Sequence, residues 1–196
     1  MTRLLTIVEG DGDLKAVPIL IRRLLQEVHE RFDVQQLPAQ KRGEWPRVRR
    51  DFERFYLSAR LERAPILWVL DFDCDQCVDP SVERTWLQTE ARRIDPTGTV
   101  DVVFMVKEFE SIFLWDEACL RRAFPELQGD ISLPENPESV RDAKGWISRT
   151  LPKGRSYKPT TDQARMTATI ELDRLRSASP SMRRLEKSLL RLIQST

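Results

Sequence analysis

Three strand-length apolar runs, set between segments of helical periodicity, constrain this chain most. They are R-L-L-T-I-V (3–8), P-I-L-W-V-L-D (65–71) and V-D-V-V-F-M-V (100–106). Each reads as a buried strand rather than one with a wet face. Residues 14–32 carry Leu14, Val17, Ile21, Leu24, Leu25 and Val28 at helical spacing, with Asp13 as a plausible N-cap and Pro18 near the first turn. V-Q-Q-L (34–37) reads as a short strand, residues 45–63 as a helix, and Pro80 to Arg93 as a helix opened by its proline. The order strand, helix, strand, helix predicts an α/β fold with a sheet of about four mostly parallel strands flanked by helices.

After Glu117 the chain changes. Pro125, Pro134, Pro137, Pro152 and Pro159 punctuate it, and helices are expected over 138–150, 161–178 and 181–194. The charge changes too. Residues 137–196 hold 13 Lys and Arg against 6 Asp and Glu, whereas residues 1–136 hold 19 against 25. The chain therefore divides into an α/β core (1–136) and a basic helical C-terminal extension (137–196) packed on the same domain. An acidic body with a basic flank suits a polyanionic partner as well as it suits an ordinary solvated helix face. The longest apolar runs fall far short of a membrane span, so no membrane partner is expected. Three cysteines, Cys74, Cys77 and Cys119, suit a reducing, cytoplasmic setting rather than a disulfide framework.

The second run ends in V-L-D-F-D-C-D-Q (69–76), with Asp71, Asp73 and Asp75 alternating. Side chains two apart on an extended segment can face the same way. Like charges so close raise one another's pKa and are best tolerated with a cation among them. No Lys or Arg lies close by in sequence, which points first to a metal ion. Parallel sheets collect functional residues past the carboxyl ends of their strands. Three strands here end in acid, at Glu9, at Asp71 and Asp73, and at Glu108 and Glu110. An all-carboxylate set suits one or two Mg²⁺ or Mn²⁺ ions rather than Zn²⁺. The plainer reading is that some of these acids are loop residues or helix caps.

V-E-G-D-G-D after a first strand and D-F-D after a later one resemble the Toprim domain of topoisomerases, primases and OLD-type nucleases. K-E-F-E-S-I-F-L-W-D, N-P-E-S-V-R-D-A-K-G-W-I, Y-K-P-T-T-D-Q-A-R-M-T-A and S-P-S-M-R-R-L-E resemble an uncharacterised bacterial Toprim-like family across essentially the whole chain. That family carries no assigned activity and is often encoded beside ATPases in phage-defence loci. The resemblance implies a Toprim-like (Rossmann-like) sheet. It makes Glu9 the Toprim glutamate, a general acid/base or metal ligand, and Asp71 and Asp73 the metal-binding pair. Glu108 and Glu110 fall where a second metal would add acids. Two ions about 3.5–4 Å apart would clamp the attacking and leaving oxygens of a phosphodiester displacement. Neither Tyr56 nor Tyr157 sits in a topoisomerase setting, which favours hydrolysis. Where the family often has Thr-Glu after its glutamate, this loop reads Gly10, Asp11, Gly12, Asp13.

Lys158 is the choice for a catalytic cation, on the segment matching the family. Lys153 and Arg155 beside it, and Arg47, Arg49 and Arg50 near Trp45, are candidate contacts to a nucleic-acid backbone, with Trp45 free to stack on a base. Each of these also fits a solvated loop or helix start. Cys74 and Cys77 form a lone Cys-x-x-Cys and read as free thiols, and His29 reads as solvent-facing. No Walker A sequence is present, so ATP hydrolysis by that route is excluded. The leading expectation is a metal-dependent Toprim-like nuclease or phosphodiesterase acting on DNA or RNA, with an ATPase partner in defence. A non-catalytic module binding nucleic acid or a partner is the alternative, and a receiver-like phospho-acceptor fits less well. The oligomeric state is left open, a homo-oligomer included.

Overall fold

The computed structural model describes residues 1–73 and 79–194. Asp75, Cys74 and Cys77 lie outside the described residues. The three apolar runs form strands β1 (Thr2–Val8), β4 (Ile66–Phe72) and β5 (Val100–Val106), and two short strands, β2 (Val34–Gln36) and β3 (Gln40–Lys41), lie between β1 and β4 in sequence. The expected α/β sheet of mostly parallel strands is present, with five strands among the described residues. Its order is β2-β1-β4-β5, with β3 also against β1, and every pair is parallel.

Alternation along the central strands explains their continuous apolarity. Leu4, Val8, Leu67, Val69, Val103 and Met105 face one helical layer. Leu5, Ile7, Ile66, Trp68, Val102 and Phe104 face the other. Both faces are covered, as all-parallel sheets require. Each fully buried Leu or Ile contributes roughly 1.5–3 kcal/mol. The first layer holds α1 (Asp13–Arg23), α5 (Glu117–Ala123), α6 (Ala143–Thr150), α7 (Ala164–Thr169), α8 (Leu172–Ala178) and α9 (Pro180–Gln194). The second holds α2 (Trp45–Arg50), α3 (Phe52–Arg60) and α4 (Pro80–Ile94). Among the described residues no helix is long and apolar enough to cross a membrane.

Four expected helices are shorter or divided, among them 138–150, which is a 3-10 turn at Pro137–Ser139 and α-helical only over Ala143–Thr150. The 14–32 segment is α-helical only to Arg23, then widens into a π-type turn over Leu24–Val28. The 45–63 segment breaks at Asp51, and 161–178 breaks at Ile170 and Glu171. Asp13 does not cap α1 by a side-chain bond. It is the first helical residue, and its carboxylate reaches back to the Gly10 N–H. His29 is half-buried rather than solvent-facing, because its Nε2 lies 2.7 Å from Glu186 Oε1 on α9.

From β1 the chain crosses to β2 on one side and returns to β4 on the other. The order of strands therefore reverses between β1 and β4, and a crevice opens past their carboxyl ends. Val8 pairs with Val69, so Glu9, just past β1, and Asp71, the penultimate residue of β4, lie at neighbouring strand ends.

Candidate metal and phosphoester site

That crevice is a cavity of about 210 Å³ lined by Glu9, Glu44, Asp71, Asp73, Glu108 and Lys144, with Trp45 and Pro46 at its wall. The sheet topology thus brings together four of the five acids expected to bind metal. The fifth, Glu110, is 1% exposed and sits within reach of the same lysine.

Asp71, Glu108 and the Glu9 loop each have a local reason for their place. Lys107 turns the chain after β5 in the left-handed region, at φ 65°, a costly conformation for a non-glycine residue. That turn lets the Phe109 N–H donate to Asp71 Oδ1 at 2.7 Å, pinning the short 3-10 segment Phe109–Trp115 to the end of β4. Glu108 accepts the backbone N–H of Lys144 at 3.2 Å. Asp13 accepts the Gly10 N–H at 2.8 Å and Gln163 Nε2 at 2.6 Å, which ties the Glu9 loop to the turn before α7. Gly12 permits this approach, since a Cβ there would collide with the Gln163 side chain.

Lys144 lies near the start of α6, whose N-cap Asp142 accepts the Gly145 N–H. Its ammonium is 3.6 Å from Asp71 Oδ2, 3.5 Å from Glu108 Oε1 and 3.5 Å from Glu110 Oε2. Tyr157 donates to the other Glu110 oxygen at 3.1 Å. Glu110 Oε2 is buried and accepts no hydrogen bond among the described residues.

The electrostatics follow from burial. Burial, then the Asp13 charge, lifts Glu9 to about 7, with Glu44 adding to the rise and the Asp71 backbone and Lys144 opposing it. Burial lifts Glu110 to about 7 against the pull of Lys144. Burial, then Glu9, Asp13 and Glu110, holds Asp71 well above the usual carboxylate range. Burial works against the Lys144 charge, but Glu110, Asp71 and Glu108 outweigh it and raise its pKa. Burial likewise keeps the Tyr157 phenol protonated, as a donor to Glu110.

The donor set is all oxygen, which fits Mg²⁺ or Mn²⁺. As placed, no three described acids converge closely enough to hold a metal ion. Lys144 supplies the positive charge among them instead. Sequence reasoning missed Lys144, Tyr157, Glu44 and Gln163. The alternating aspartates called for a cation, but its source lies more than 70 residues away in the chain.

The other expected cations lie elsewhere. Lys158 is exposed, and its backbone N–H donates to Asp162 at 2.8 Å. Lys153 is exposed, and Arg155 pairs with Glu126 at 3.3 Å. None of these three lines the acid cavity. Arg49 pairs with buried Glu83 and lies 4.6 Å over the Trp86 ring. Arg50 reaches Asp51 at 3.2 Å, and Arg47 is exposed. Trp45 is 1% exposed and packs edge-on against Phe104 and Trp86, so no ring face is open to a base.

No curated protein matches the chain. Two solved structures are similar to it over 100% of its length. The C-terminal region of the Xanthomonas campestris pv. campestris OLD protein matches at 12% identity and TM-score 0.49, with 97% of that chain covered. The C-terminal region of the Burkholderia pseudomallei OLD protein matches at 13% identity and TM-score 0.43, with 98% covered. A family model matches residues 8–190, and the chain belongs to that family, described as Domain of unknown function (DUF4276).

Proposed function

We propose that the acid cavity is a divalent-metal site for hydrolysis of phosphodiester bonds in nucleic acid, on a Toprim-like sheet. One observation carries this reading: Glu9 and Asp71, at the ends of adjacent parallel strands, share a cavity with Asp73 and Glu108. Mg²⁺ or Mn²⁺ held by Glu9, Asp71, Asp73, Glu108 and Glu110 would supply positive charge to the oxygens of a phosphodiester. Glu9, lifted to about 7, can take or give a proton near neutral pH, as a general base or acid must. Lys144 adds a fixed cation at the cavity wall, where charge on a phosphoryl group is stabilised. Tyr157 and the Phe109 N–H hold Glu110 and Asp71 in place. An ATPase partner, as the resemblance implies, belongs to the same proposal.

The test is cleavage of plasmid DNA, single-stranded DNA and RNA with Mg²⁺ or Mn²⁺ against an EDTA control. Cleavage lost on chelation and in Asp71→Asn/Asp73→Asn is expected. Equal cleavage by that variant would sink the proposal. Asn keeps the oxygen that accepts the Phe109 N–H, so the fold is spared.

One observation favours a second reading. The acids are already neutralised in part by Lys144 and do not converge on a common point. A non-catalytic module that binds nucleic acid or a partner would keep such a lysine-filled cluster as structure. Mn²⁺ binding without cleavage of any substrate would select it.

A further inference from the structure

Trp45 lines the acid cavity, and its ring meets Phe104 with centroids 4.9 Å apart. Phe104 in turn lines a second cavity of about 310 Å³, so one pair of buried rings separates the two neighbouring cavities. The floor of the second cavity is Val102–Phe104 of β5, the open edge of the sheet. One wall is the start of α4, with Arg84. The other is α9, with Arg184, Lys187 and Arg191.

The α9 spacing is the sequence cause. Arg184, Lys187 and Arg191 stand at i, i+3 and i+7 and so share one face. Met182, Leu185, Leu189, Leu192 and Ile193 bury the opposite face against the sheet layer. At a rise of 1.5 Å per residue this cationic row is about 10 Å long, the axial reach of roughly three phosphates on one strand. Against four cations the cavity lining offers Asp79, and the floor strand offers Asp101.

The cations are held ready. Asp101, 1% exposed, accepts two bonds from Arg84 at 2.7 and 2.7 Å and one from Gln88 at 3.0 Å, and lies 3.6 Å from Arg191. Arg184 donates to Ser181 Oγ at 2.7 Å and lies 3.7 Å from Glu138. Lys187 pairs with no carboxylate among the described residues. Ile66 N–H donates to Thr99 O, so the ladder alternation turns the N–H groups of Val102 and Phe104 away from β4. Asp101 Oδ1 accepts that of Val102 at 2.9 Å, which leaves Phe104 as a further donor at the floor.

We infer that the α4–α9 groove is a phosphate track, binding the backbone of a nucleic-acid strand whose reacting phosphodiester lies in the neighbouring acid cavity. It rests on the nucleic-acid reading above and adds where the strand runs. The track reads phosphate charge and not sequence.

The test is fluorescence anisotropy of the full chain with a labelled single-stranded oligonucleotide in EDTA, over a salt series. Arg184→Gln/Lys187→Gln should weaken binding and reduce the slope of log affinity on log salt by about 1.4, near 0.7 for each lost phosphate contact. Lys187→Glu alone breaks no ion pair or side-chain hydrogen bond among the described residues and must weaken binding too. Wild-type affinity and slope in both groove variants would overturn the track while leaving hydrolysis at the acid cavity standing. Groove-dependent binding with no cleavage under any metal would overturn the hydrolysis and keep the track. No oligonucleotide binding, or binding of inorganic phosphate alone, would overturn the track as a nucleic-acid site.

Discussion

The ammonium of Lys144 stands 3.5 Å from Glu110 Oε2, a buried carboxylate oxygen that accepts no hydrogen bond among the described residues. Asp71 and Glu108 flank the same ammonium at 3.6 and 3.5 Å. Removing the lysine leaves three carboxylates repelling one another around a gap. Lys144→Ala should therefore cost about 1–3 kcal/mol in EDTA, less than a fully buried pair because the lysine is partly solvated. Added Mn²⁺ should recover more stability in this variant than in the wild type. Denaturant titrations with and without Mn²⁺ check both, and an unaltered midpoint in EDTA would contradict the first.

Among the described residues, Tyr157 is the hydrogen-bond donor to Glu110 Oε1, at 3.1 Å. Tyr157→Phe leaves that buried oxygen short of a partner, at a cost of about 1–2 kcal/mol. In a Glu110→Gln background the loss should shrink, with a coupling of at least about 0.5 kcal/mol in a double-mutant cycle. Strict additivity would show that the pair does not act as a unit.

Stability should fall as pH rises through the neutral range. Burial raises Glu9 and Glu110 from 4.5 to about 7, so the folded state holds these protons more tightly than the unfolded state does. Their contribution is complete below the ordinary value and is lost as pH climbs to about 7. Carboxylates held low work in another window. Asp95, held near 2 first by its Thr97 bond and then by Arg60, loses its contribution only as pH falls below 3.8. Melting temperature in EDTA should thus drop between about pH 5 and pH 7.5. Glu110→Gln should flatten that slope. A rise over the same range would contradict the assignment.

Arg49 should behave as a structural residue. Its partner Glu83 has a side chain only 3% exposed, and Arg49 also covers the Trp86 ring. Arg49→Ala strands a buried carboxylate and should cost about 2–3 kcal/mol. Arg47→Ala, at an exposed position, should stay within about 0.5 kcal/mol. Equal melting temperatures for the two variants would contradict this.

The strands were legible because both sheet faces are buried, which writes β1, β4 and β5 as continuous apolar runs. The meeting of Glu9, Asp71, Asp73 and Glu108 was legible because parallel strands deliver their carboxyl ends to one edge. Helix ends were less so. The break at Asp51 and the π-type turn at Leu24 depend on tertiary fit that apolar spacing does not encode. Residues meeting across long separations were not legible at all. Lys144 reaches Asp71 from α6, Gln163 reaches Asp13, and Glu186 reaches His29. Charge alone did not single out Lys144 among the basic residues of the last third of the chain. The sequence logic that three aspartates need a cation pointed to a metal, whereas the fold brings in an ammonium beside Asp71.

This lysine-bearing acid cavity is expected also to take a divalent cation. Mn²⁺ binding to the full chain, followed by electron paramagnetic resonance of free Mn²⁺, tests it without reference to any substrate. Saturable binding by the wild type is expected, weakened at least about tenfold, or roughly 1.4 kcal/mol, by Asp71→Asn. Absence of binding by the wild type, or equal binding by the variant, would contradict it.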